Sequence, residues 1–136
     1  AEDDPNDTRI NLDTNLTSGA RAFVRGQNEG LFSTSGSYTI VSANGDLNAT
    51  SGFGLQSNSA AETYLGALDV SVDFTGAGNV VGGVPDEIYA KEILNTSLSP
   101  IYAGRASFYI KARPDEQSPS TSDYSETIVI TAAADF

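Results

Sequence analysis

The sequence predicts an all-β protein, an antiparallel β-sandwich, and three observations carry that prediction. Apolar and polar residues alternate with a period of two in several segments; Gly, Ser and Asn turns separate those segments; and no segment holds a long helical period. Leu, Ile, Val and Phe supply 31 of the 136 residues, above the roughly one-fifth level below which strongly charged chains stay unfolded. A chain of this length buries enough surface for a single core without staples.

The elements follow in chain order. Residues 1–7, Ala-Glu-Asp-Asp-Pro-Asn-Asp, form an acidic leader with no apolar residue after Ala1 and read as a solvated arm. In residues 9–17, apolar or methyl-bearing side chains stand at Ile10, Leu12, Thr14 and Leu16, with polar residues between them. Such a strand pairs with its own sheet or inserts into a neighbour's, and the pattern fits both. The chain thus divides into an arm, 1–17, and a sandwich domain, 18–136. Weaker strands are expected at 20–25, at 37–42 through Tyr38 and Ile40, and at 52–57 through Phe53 and Leu55.

Leu68 to Thr75 alternates four apolar with four polar residues between Gly66 and Gly76, the pattern of a half-buried strand. Residues 84–98 fit either a short helix opened by Pro85-Asp86-Glu87 or an edge strand, and a strand with a bulge is the reading adopted. Arg105 to Arg113 places Ala106, Phe108, Ile110 and Ala112 on one face and stops at Pro114. Tyr124 to Ala132 contains Ile128-Val129-Ile130, apolar on both faces, which suggests a central, doubly covered strand. Residues 76–83 and 114–123 are expected as exposed connections.

Composition removes most chemistry. The chain has no Cys, His, Met or Trp, and 7 Lys+Arg against 18 Asp+Glu give a net charge of −11. Disulfides, zinc fingers and His-dependent nucleophilic catalysis are therefore excluded. Seven scattered basic residues argue against nucleic-acid binding. No apolar run approaches the roughly 20 residues of a membrane span. The start at Ala1, without Met, predicts a chain released from a secretory signal peptide.

Motifs with a chemical reading are weak. Asn44-Gly45-Asp46-Leu47-Asn48 begins like a calcium loop, but Ala49 and Leu55 occupy the required Gly and Glu positions, so a turn is expected. Gly76-Ala77-Gly78 departs from dinucleotide spacing. Asp69 and Asp73 read as a solvated strand face rather than a catalytic pair. Sequons stand at Asn6, Asn15, Asn48 and Asn95, candidate glycosylation sites on an exported protein. No cofactor, no metal and no enzymatic activity are expected.

Ser122-Asp123-Tyr124-Ser125-Glu126-Thr127-Ile128-Val129-Ile130-Thr131, close to the terminal Phe136, resembles the last strand of chaperone–usher pilins. The nearest branch is the archaic, spore-coat-U-like one, and related donor-strand filament subunits share the texture. The resemblance implies an incomplete immunoglobulin-like sandwich completed by the next subunit's N-terminal arm. It makes Ile10, Leu12, Thr14 and Leu16 the donor positions and puts Tyr124, Ile128 and Ile130 on the strand bordering the acceptor groove. It further implies an extracellular pilus or biofilm-type filament built from copies of the chain, with a periplasmic chaperone and outer-membrane usher as assembly partners. The chain lacks the disulfide usual in that branch. The alternative expectation is a secreted β-sandwich module for carbohydrate or calcium-dependent adhesion.

Overall fold

The computed structural model describes residues 7–28, 30–62, 64–85 and 89–134. Its strands are β1 (Asp7–Thr14), β2 (Ala20–Gly26), β3 (Gly30–Ser33), β4 (Tyr38–Val41), β5 (Gly45–Asp46), β6 (Gly52–Ala61), β7 (Tyr64–Leu65), β8 (Asp69–Val70), β9 (Val80–Val81), β10 (Lys91–Asn95), β11 (Ile101–Arg113) and β12 (Ile128–Ala134). One 3-10 turn, Val72–Phe74, interrupts them, and no α-helix occurs among the described residues.

Alternation becomes burial most plainly in β2, where Ala20, Ala22 and Val24 are buried and Arg21 is exposed. Successive side chains of a strand leave opposite faces, so one face of β2 is free to enter a core. Two larger sheets supply that core. One has the order β1-β11-β6, with β7 also on β11; the other runs β12-β2-β10-β8. The hairpin β3–β4 and the pair β5–β9 form small sheets of their own. Every named strand pair is antiparallel.

Both larger sheets feed one apolar cluster. Phe53, Leu55, Ile101, Ala106 and Phe108 from the first meet Ala22, Val24, Ile93 and Leu94 from the second, an arrangement consistent with a β-sandwich. Phe74 closes the cluster edge-on against Phe108, with ring centroids 6.4 Å apart and planes at 83°. Each of the Phe, Leu, Ile and Val side chains contributes about 1.5–3 kcal/mol through burial. The fold therefore rests on these residues rather than on the exposed ion pairs, whose individual contributions are small.

Four elements differ from the sequence expectation. The strand expected at 68–75 is only Asp69–Val70. After it, Ser71 N–H donates to the Ile93 carbonyl and Phe74 N–H to the Ser71 carbonyl, which curls the chain inward. Phe74 is then fully buried while Val72 is 83% exposed, although strict alternation puts both on one face. Asp69 and Asp73 consequently do not share a strand.

The run at 128–130 is not central. It belongs to β12, which pairs with β2 alone among the described residues, and Ile128, Val129 and Ile130 are only half-buried. Just before it, Ser125 exchanges two backbone hydrogen bonds with Phe32, of 2.8 and 2.9 Å, so the approach to β12 is anchored to the β3–β4 hairpin. Residues 76–83 are not purely a connection, since they include β9. Within 84–98 the strand reading holds for β10, whose register against β2 shifts between Glu92 and Leu94; Ile88 lies outside the described residues. The turn expected at Asn44-Gly45-Asp46 comes later: Gly45–Asp46 is β5, and Ala49 and Thr50 N–H groups donate to the Asp46 carbonyl.

Candidate strand-exchange site

The N-terminal strand lies at the edge of the first sheet. β1 runs antiparallel to β11, with Arg9 opposite Ser107, Ile10 opposite Ala106, Asn11 opposite Arg105 and Leu12 opposite Gly104. Ile10 and Leu12 are buried in the shared core; Arg9, Asn11 and Asp13 face outward. Gly104 is required opposite Leu12, because a Cβ there would stand 2.4 Å from the Leu12 carbonyl oxygen. The outer face carries an ion pair, Asp13 to Arg105 at 3.6 Å, and Asp13 also accepts the Ala103 N–H.

The apolar positions after Leu12 behave differently. A register irregularity between Leu12 and Thr14 ends the regular ladder. Thr14 Oγ1 accepts the Leu16 N–H at 3.2 Å, and the Leu16 carbonyl accepts the Gly19 N–H at 3.0 Å. Thr14 and Leu16 are half-buried within this turn rather than seated like Ile10 and Leu12. Gly19, at φ +79°, completes it, a left-handed conformation suited to glycine.

Within the chain, β1 pairs with β11. Ile128 and Ile130 sit on β12 in the other sheet, half-buried against the core. Tyr124 precedes that strand, and its hydroxyl donates to the Pro119 carbonyl at 2.8 Å. Ile10, Leu12 and Thr14 on β1 and Ile128 and Ile130 on β12 are thus carried by opposite sheets, while Leu16 and Tyr124 lie outside the strands. β11 suits its role because it is the longest strand and pairs on both sides, with β1 and with β6.

Carboxylates not singled out in the sequence hold the C-terminal connection in place. Asp123 accepts hydrogen bonds from Ser33 Oγ at 2.5 Å, Ser35 N–H at 2.9 Å and Ser35 Oγ at 2.8 Å. These donors, Ser33 foremost, hold its carboxyl far below the usual carboxylate range. Asp115 accepts the Tyr38 hydroxyl at 2.6 Å; this lowers the Asp115 carboxyl and raises the Tyr38 phenol. Glu126 Oε1 accepts the Asn28 N–H at 2.9 Å. Residues 114–127 are therefore a strap pinned to the β3–β4 region before the chain enters β12.

Among the sequons, Asn15 and Asn48 are exposed. Asn95 is half-buried, donating to Glu92 Oε1 at 3.0 Å and accepting the Ser97 N–H at 3.0 Å. Asn6 lies outside the described residues. No helix among the described residues is long and apolar enough to cross a membrane.

The fold and its edges define an all-β protein of antiparallel sheets with an N-terminal edge strand. Compared with known proteins, the chain matches no family model, no curated protein and no solved structure.

Proposed function

We propose that the chain is a structural subunit of an extracellular filament and polymerises by donor-strand exchange, its N-terminal arm pairing with β11 of the next copy. The observation that carries this reading is the position of β1, an edge strand paired with β11 alone among the described residues and joined to β2 by the short turn at 15–19. Identical chains offer identical edges, so a β1 from a second copy makes the same ladder and seats its Ile10 and Leu12 in the same places. The exchange then requires only that the 15–19 turn open. The partners are copies of the chain; an assembly chaperone and usher belong to the same proposal.

The test exploits the absence of cysteine. Asn11 and Arg105 face each other across β1 and β11, and paired strand positions have Cα atoms about 4.5–5.5 Å apart, within disulfide range. Oxidised Asn11→Cys/Arg105→Cys protein is expected to run as a ladder of linked subunits on a non-reducing gel, with filaments visible by electron microscopy. Removal of residues 1–17 is expected to abolish both. A disulfide confined to monomers, or filaments that survive the truncation, refutes strand exchange.

A further inference from the structure

A second cluster lies away from β1 and brings together a lysine, an aspartate and an asparagine. Lys91, first residue of β10, places Nζ 2.6 Å from Asp73 Oδ2 and 3.2 Å from Asn44 Oδ1. The Gly83 N–H donates to the same Asn44 oxygen at 3.0 Å. Two donors meeting one atom identify it as the carbonyl oxygen of the amide. Beneath them is the buried Phe74 ring, its centroid 5.1 Å from Nζ. The Lys91 and Asp73 side chains are 31% and 41% exposed and Asn44 is exposed, so the cluster rests on the Phe74 ring on one side and opens to water on the other. These residues come from four separate places in the chain.

We propose that Lys91 and Asn44 join in an intramolecular isopeptide bond, with Asp73 as the catalytic proton carrier. Asp73 takes a proton from the Lys91 ammonium, and the free amine attacks Asn44 Cγ. The Nζ–Cγ bond forms, and the Gly83 N–H stabilises charge developing on Oδ1. The Cγ–Nδ2 bond then breaks as Asp73 returns the proton to the departing nitrogen; Nζ passes its second proton to Asp73 and on to solvent, leaving a neutral amide, and ammonia leaves to be protonated in water. No oxidant or cofactor is consumed. Fixed proximity of amine and amide supplies the main acceleration. Asn44 and Gly83 line an open surface cavity of ≈ 400 Å³, an exit for ammonia. The bond closes the chain from residue 44 to residue 91 and ties the β4–β5 connection to β10.

The bond is tested by intact mass spectrometry of the folded protein after prolonged incubation at neutral pH. The expected result is a chain about 17 Da lighter than its sequence. Cleavage after glutamate is expected to release residues 30–62, which contain Asn44, joined to residues 88–92; trypsin should fail after Lys91. Lys91→Arg keeps the charge beside Asp73 and over Phe74 but is not acylated, and should retain full mass. Asp73→Asn should slow bond formation by about 100-fold or more. An unchanged wild-type mass overturns the proposal. So does a 17 Da loss that persists in Lys91→Arg, because that loss marks a succinimide at Asn44-Gly45 instead.

Discussion

Replacing Leu12 by Ala tests whether the arm contributes to the core as its burial implies. Leu12 is 6% exposed and belongs to the same apolar cluster as Phe108 and Val24. Leu-to-Ala changes in cores cost about 2–5 kcal/mol, through lost transfer energy plus the cavity left behind. An edge strand relaxes more readily than a central one, so the expected cost is about 3 kcal/mol, in the lower half of that range. At about 3–5 °C per kcal/mol for a domain of this size, the thermal midpoint should fall by about 10–15 °C. Asn11→Ala, one residue away on the outer face, should change stability by no more than about 0.5 kcal/mol. Urea unfolding of the isolated chain, followed by far-ultraviolet circular dichroism, measures both variants. The midpoint for Leu12→Ala should drop with an unchanged slope. A cost under about 1 kcal/mol, or equal costs for the two variants, would refute the placement of Leu12 in the core. Under the proposed strand exchange a donated β1 makes the same contacts, so any filaments formed by Leu12→Ala should also dissociate at lower denaturant.

Two further outcomes concern the connections. The Asp123 carboxyl is held far below its unfolded value of about 3.9. Its contribution is therefore present above about pH 4 and is lost as pH falls toward the depressed folded value; the stability gap between wild type and Asp123→Asn in urea should shrink below pH 4, and a constant gap would contradict the clamp. Gln56, 6% exposed, donates Nε2 to the Gly78 and Val80 carbonyls at 3.1 and 2.9 Å; Gln56→Ala should cost about 2 kcal/mol, with faster amide exchange in β9 and little change in β1.

Period-two alternation sufficed to find β2, β6 and β11, because one face of each is apolar enough to set its register. It failed at 68–75 because a strand and an inward 3-10 turn offer the same residues, and only the acceptor at the Ile93 carbonyl decides between them. It failed differently at Ile128-Val129-Ile130, where apolarity on both faces suggests central placement although no strand covers the outer edge of β12 among the described residues. The arm was legible as a strand, and Ile10 and Leu12 as its inward positions. Its partner was not, since register between segments about ninety residues apart leaves no local signal. The Asp123 clamp and the Lys91 cluster are assembled from residues distant in sequence, and their parts read individually as ordinary loop polarity.

Two of the edge strands, β1 and β12, are not equally defended, and the difference bears on the proposed assembly. β1 presents Arg9 and Asp13 on its outer face, and charged residues on an edge discourage indiscriminate pairing. β12 has the sequence Ile-Val-Ile-Thr-Ala-Ala-Ala, with no charge, and Thr131 to Ala134 are exposed. Charge stands only at the flanks of this seven-residue strand, Glu126 before it and Asp135 after it, the positions gatekeepers take. The net charge of −11 acts at longer range than any gatekeeper, since like-charged copies repel until a specific contact outweighs the repulsion. Repulsion is non-directional and does not distinguish a correct docking from an incorrect one. A buried arm that fits β11 in one register does. Under the proposed function the two serve different steps, acidity dispersing the copies before assembly and the edge strand fixing a single register during it.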